Sequence, residues 1–258
     1  QWILLETAYP QGLVSVTQGP GDQAVICGSS YVLISTDDGA NWAWDLAQDQ
    51  LAQPIYGDWY AYHFFDDQAG IAVGTNALDS RYVILQTFDG GASWFIRLTA
   101  PGTPQPVGLV AVDFPDALTG YSVGTNGGMF KTVNGGFDWV PIETGPWGAS
   151  DLWEVEFWDA DHGLIRTSDA VFRTEDGGQT WSSCWAGDVF GISVLPNGIV
   201  YAVGAEQLGW SNDQGVDWNY VPIPFQYANR IQALAEDTLY LGTGNGIYHS
   251  FNNGLSWE

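Results

Sequence analysis

Positive charge is what this 258-residue chain has least of: six Lys and Arg stand against thirty Asp and Glu, for a formal net charge of −24. Phosphate recognition is built on clustered Lys and Arg, so nucleic acid is excluded as a partner, and the acidity serves solubility or attracts a cationic group. Cysteine is nearly absent: Cys27 and Cys184 are the only two. They fall in the first and fourth units of the repeat described below, opposite each other in a ring and beyond the short reach of a disulfide, so both read as free thiols. No apolar run approaches the roughly 18 residues of a membrane helix, so insertion into a bilayer is not expected. His63, His162 and His249 belong to different units, and no D-x-[DN]-x-[DN]-G loop, phosphate loop or dinucleotide fingerprint occurs. Neither a metal nor a cofactor is therefore expected.

What the chain has in abundance is aromatic surface, with 14 Trp, 12 Tyr and 12 Phe, and one short motif repeated six times. STDDGANW ends at Trp42, TFDGGASW at Trp94, TVNGGFDW at Trp139, TEDGGQTW at Trp181, SNDQGVDW at Trp218 and SFNNGLSW at Trp257. The consensus is Ser/Thr-x-Asp/Asn-x-Gly-x-x-Trp, and successive tryptophans are 52, 45, 42, 37 and 39 residues apart. A period near forty fits a four-stranded propeller blade. Runs such as Tyr31 to Ile34 before the motif and Trp94 to Leu98 after it have the alternation and flanking turn residues of hairpins. The third-position residues Asp37, Asp89, Asn134, Asp176, Asp213 and Asn252 are expected to accept backbone N–H groups within their own turns. Two of the six are Asn, a swap that a turn acceptor tolerates and a metal ligand or catalytic carboxylate does not.

The motif resembles the Asp-box, or BNR, repeat of sialidases, sortilin-type receptors and xyloglucanases. The stretch from Gly120 to Trp139 is similar to the repeat of photosystem II stability/assembly factor-like proteins. The resemblance implies an all-β, six-bladed propeller of four-stranded antiparallel blades, one domain over 1–258, with the boxes on the face opposite the usual ligand site. Gln1 to Thr7 aligns with Asp138 to Thr144 and is expected to supply the outer strand of the last blade, closing the ring. The chain opens on Gln1 rather than Met, which points to removal of a leader and to an exported protein, periplasmic, cell-surface or extracellular.

Sialidase chemistry is not supported, because the five arginines include no Arg-Ile-Pro motif and do not assemble a carboxylate-binding triad. The assembly factors' seven blades and arginine patch are also unmatched, so that resemblance implies the fold and a general binding role. The site is expected on the upper face, where loops set aromatics beside acids: Tyr56 and Trp59 with Asp58, Trp147 and Trp153 with Asp151 and Glu154, Phe190 with Asp188, and Phe225 with Tyr227. Such pairs suit sugars or cationic side chains. The expected function is non-catalytic recognition of a protein or glycan by a monomer. The alternatives are a glycoside hydrolase using Asp58, Asp151 or Asp188, and a structural part of a larger extracellular assembly.

Overall fold

The computed structural model describes residues 13–18, 24–28, 31–35, 37, 40–46, 48–49, 51, 53–100, 108–142, 145–225 and 228–258. Short β-rich runs broken by Gly-containing turns pair in chain order into six antiparallel sheets. The first holds β1 (Leu13–Gln18), β2 (Ala24–Gly28), β3 (Tyr31–Ser35) and β4 (Ala43–Leu46). The second holds β5 (Gly57–Phe64), β6 (Gly70–Asn76), β7 (Tyr82–Thr87) and β8 (Phe95–Ala100). The third holds β9 (Leu109–Asp113), β10 (Gly120–Gly124), β11 (Met129–Thr132) and β12 (Val140–Pro141). The fourth holds β13 (Glu154–Phe157), β14 (Gly163–Arg166), β15 (Ala170–Thr174) and β16 (Ser182–Ala186), and the fifth β17 (Gly191–Val194), β18 (Val200–Val203), β19 (Gln207–Ser211) and β20 (Asn219–Pro222). The sixth pairs β21 (Ala228–Ala233), β22 (Leu239–Thr243) and β23 (Gly246–Ser250). The strand expected over Gln1 to Thr7 lies outside the described residues.

The first strand of each sheet touches the first strand of the next, from β1 through β5, β9, β13 and β17 to β21. Second strands such as β6, β10, β14 and β18 are covered on both faces, and Val73, Tyr121, Ile165 and Ala202 are sealed between neighbouring sheets. Each large apolar side chain so buried contributes about 1.5–3 kcal/mol. Up-and-down pairing puts the turns between first and second and between third and fourth strands at one end, here called the turn face. The connections from one sheet to the next emerge at the other end, the mouth face. Among the described residues no helix is long and apolar enough to cross a membrane.

The six repeats are the turns between third and fourth positions, and among the described residues the same bonds recur in them. In the second repeat Thr87 Oγ1 donates to Asp89 Oδ1 (2.8 Å) and accepts the Gly91 N–H (2.9 Å), while Asp89 Oδ1 accepts the Ser93 N–H (2.8 Å). The pattern recurs at Asp37, Asn134, Asp176, Asp213 and Asn252, whose Oδ1 atoms accept from Asn41, Asp138, Thr180, Asp217 and Ser256. The Trp139, Trp181 and Trp218 indoles each donate to the carbonyl of their own repeat glycine at 3.1 Å. The hydrogen bonds from Asn41 hold the Asp37 carboxyl below the usual carboxylate range, and those from Ser211 do the same for Asp213. Asn134 and Asn252 accept the same backbone N–H groups as the aspartates, so the turn does not require a charge at this position.

The repeat glycine meets two demands. Gly136 has φ +85° and a Cβ there would lie 2.6 Å from Ile71 Cδ1 of the preceding sheet. The turns are also tied across sheets: Gln86 donates to Gly135 O and Lys131 to Gly177 O, both at 2.8 Å. Within each sheet the two turns of this face lie side by side, as in the 2.8 Å bonds from Gly90 N–H to Gln68 O and from Gly135 N–H to Leu118 O.

Candidate binding site at the mouth of the central channel

A first strand has a neighbour on one side only, so its outer N–H groups need acceptors from elsewhere. On β13, β17 and β21 four of these N–H groups are capped by a side chain from the first strand of the preceding sheet. Asp113 Oδ2 on β9 accepts the Phe157 N–H of β13 (2.6 Å), and Glu154 and Glu156 Oε2 on β13 accept from Ile192 (2.8 Å) and Val194 (2.7 Å) of β17. Ser193 Oγ on β17 accepts from Ala233 of β21 at 3.0 Å. Asp113, Glu154 and Glu156 line a cavity of about 740 Å³ bordered by Tyr60, His63, Gln232 and two arginines, Arg166 and Arg230.

Glu154 is the hub. It stands opposite Arg166 in the β13/β14 register, and Oε2 takes the Arg166 Nε–H at 3.0 Å. Oε1 lies 3.0 Å from Arg230 Nη1, so one carboxylate holds two guanidiniums. Arg166 is buried and also donates to Thr167 O and Val189 O, whereas the Arg230 side chain is 69% exposed at the mouth. Burial raises the Asp113 carboxyl to about 6. Burial, reinforced by Glu154 and Asp113 close by, holds Glu156 well above the carboxylate range, and burial lowers His63 to about 4.

The Asp113 shift has a definite sign. The folded chain binds this proton more tightly than the unfolded chain, so the cost of the ionised carboxylate is fully present above about 6 and is relieved as pH falls towards the ordinary value of 3.8. Lowering the pH from about 7 to about 5 should therefore raise the urea midpoint of the wild type and raise that of Asp113→Asn less. Equal movement of the two midpoints would remove Asp113 as a source of the effect.

The mouth itself is aromatic. Trp153, 40% exposed, and Phe190, 36% exposed, share a hollow with Arg166, Ser168 and Asn229. It continues into a groove of about 720 Å³ formed by Phe190, Glu206, Pro222, Pro224 and Phe225. Both aromatics are fixed by their backbones, Trp153 N–H on Arg166 O and Phe190 N–H on Val203 O, each at 2.8 Å.

Of the residues expected at this face, Trp153 and Phe190 come together at the mouth, with Asp188 exposed just before Phe190. Tyr56 is exposed just before β5 and does not line that hollow, and Asp58 is half-buried at the start of β5. Asp151 spends Oδ1 on the Asn126 N–H at 2.8 Å. Two expectations are corrected. Trp59 is fully buried among Tyr62, Phe64 and Trp94, and Trp147, 5% exposed, packs edge-on against Phe172 and Trp181. Neither offers a surface to a ligand, because each fills space between strands. Tyr227 lies outside the described residues. Arg166 and Arg230 were not anticipated; the alternation of two acids in Glu154-Val-Glu156 on an inner strand was the readable sign that cationic partners would face them.

Consecutive antiparallel sheets, five of four strands and one of three among the described residues, whose first strands pack one against the next, define a β-propeller. The chain is a β-propeller resembling the photosystem II assembly factor Ycf48. It is 26% identical over 121 residues to the photosystem II assembly lipoprotein Ycf48 of Synechococcus sp. (strain CC9902), a match over 46% of this chain and about a third (34%) of that protein's length. The structure of YCF48 from Cyanidioschyzon merolae superposes with a TM-score of 0.68 at 16% identity, covering 96% of this chain and 84% of that one. A structure described as YCF48 bound to D1 peptide gives 0.55 at 17% identity over 78% and 80% of the two chains. An ancestral GH74 enzyme gives 0.74 at 16% identity, over 96% of this chain and 38% of its own. No family model matches the chain.

Proposed function

We propose that the chain is a protein-binding scaffold: one six-bladed propeller over 1–258, closed as a ring, exported and monomeric, that holds an extended peptide segment of a client across its mouth. The observation that carries this reading is the pair of solvent-facing aromatics, Trp153 and Phe190, fixed at the rim of a channel and continuous with a proline- and phenylalanine-lined groove. An extended peptide can place an apolar side chain against Trp153 and Phe190 while its polar backbone faces Asn229 and Glu206. The YCF48 structure with D1 peptide supports peptide binding by this fold, and the description of the Synechococcus relative as a lipoprotein supports export. The resemblance of the six turns to Asp boxes supports the blade count.

A hydrolase is the less favoured reading. Glu154 at the mouth is gripped by two guanidiniums and a backbone N–H, which leaves it poorly suited to exchange protons with a substrate. The test is binding of the purified chain to an array of random peptides and, in parallel, to a glycan array. Peptide binding that weakens about 10–100-fold in Trp153→Ala/Phe190→Ala is expected. Peptide binding untouched by that double change would reject the mouth as the site, and glycan binding alone, or turnover, would reject a protein client.

A further inference from the structure

The turn face carries an exposed aromatic cluster that the mouth does not use. Phe88 (42% exposed), Phe95 (37%) and Phe137 (50%) meet at the seam between the second and third sheets. Phe88 lies 5.8 Å from Phe95 and 5.7 Å from Phe137, ring centre to ring centre. Val133 and Val140 on the third sheet are also more than half exposed.

Folding does not call for these side chains. Phe88 occupies the second position of its repeat and Phe137 the sixth, and the fourth repeat closes the same hydrogen-bonded turn with Glu175 and Gln179 in those places. The fifth repeat has Asn212 at the second position and still forms every bond of the turn. Apolar rings on this seam are thus an addition to the repeat.

The surroundings indicate what the rings face. Asp66, Asp67, Asp89, Asp116 and Asp138 are all exposed on the adjoining turns of the second and third sheets. The cations nearby are committed. Lys131 donates to Gly177 O and lies over the Tyr121 ring, and Arg97 is bound to Gln86 Oε1 at 2.7 Å. The Arg97 guanidinium also sits 4.7, 5.3 and 5.8 Å from the centres of Phe137, Phe95 and Phe88, so the cluster already holds one guanidinium against its rings. A second copy of a chain with net charge −24 would bring like charges together, and an anionic membrane would be repelled in the same way.

We propose that this seam docks a basic polypeptide segment that carries apolar side chains, its Lys and Arg meeting the ring of aspartates and its apolar groups covering Phe88 and Phe137. The site is separate from the mouth and does not depend on the reading given above.

The experiment measures binding of a fluorescent peptide of alternating lysine and phenylalanine, with oligolysine of equal charge as the comparison. Wild-type protein should bind the lysine–phenylalanine peptide at least about tenfold more tightly than oligolysine, and Phe88→Gln/Phe137→Gln should remove that advantage. Affinity should fall as salt is raised, since the carboxylates are exposed and screened. The titrations are made in a Trp153→Ala/Phe190→Ala background as well, which removes any share of the peptide held at the mouth. Thermal melts of the double variant, whose substitutions copy the polar character of the fourth repeat, confirm that it is folded. In that background, equal binding of the two peptides, insensitivity to Phe88→Gln/Phe137→Gln, or no binding of the lysine–phenylalanine peptide would each overturn the proposal.

Discussion

Replacing Glu154 by alanine is expected to destabilise the fold by about 3–5 kcal/mol, the range for breaking a buried ion pair from one side. Glu154 is 2% exposed and Arg166 9%. Without the carboxylate, Arg166 keeps its two backbone acceptors but carries an unbalanced charge in the channel wall, and the Ile192 N–H of the next sheet loses its acceptor. Arg230 contributes little to this figure, because its exposed end can be solvated by water. Glu154→Gln retains an acceptor for Ile192 and should fall between alanine and wild type. Removing both buried charges in Glu154→Leu/Arg166→Met should recover most of the loss, since a packed apolar pair is often as stable as the ion pair it replaces. Urea unfolding of the four proteins tests the scheme. A loss below about 1 kcal/mol in Glu154→Ala would mean that the channel wall relaxes around the arginine, and that the carboxylate latch is not structural.

These latches also explain what could be read from the sequence and what could not. The turns were legible because every bond in them is local: a hydroxyl, its acceptor two residues on, a glycine and an indole all fall within eight residues, and six copies fix their period. The channel was not, since Asp113, Glu154 and Ser193 act on the first strand of the next sheet, 38 to 44 residues away in the chain. No local pattern ties an acid to an N–H at that distance. Composition does not sort the aromatics of the upper loops into packed and exposed, for a related reason. Trp147 and Trp153 are six residues apart in similar company, yet one packs on Phe172 and the other stands at the rim. What separates them is the position of β15 and of the fourth repeat turn, which composition near either tryptophan does not carry.

The repeat glycine permits a matched pair of substitutions that separates backbone strain from crowding. Gly136 (φ +85°) and Gly148 (φ +60°) both occupy the left-handed region, so alanine at either costs roughly 1–2 kcal/mol in backbone conformation. A Cβ at Gly148 meets nothing within 4 Å, whereas at Gly136 it would come 2.6 Å from Ile71 Cδ1, itself fully buried against β9 and Trp139. Forcing a methyl into such a packed site adds about 1–3 kcal/mol. Gly136→Ala is therefore expected to cost about 2–5 kcal/mol and Gly148→Ala about 1–2 kcal/mol, read as urea midpoints at constant slope. Adding Ile71→Val to Gly136→Ala removes the offending methyl and should return part of the loss, although Ile71→Val alone costs about 0.5–1.5 kcal/mol. Equal losses at the two glycines, with no coupling to residue 71, would show that the repeat selects glycine for its φ alone. A larger loss at Gly136 that Ile71→Val reduces would show that the turn is also the contact on which one sheet is seated against the next.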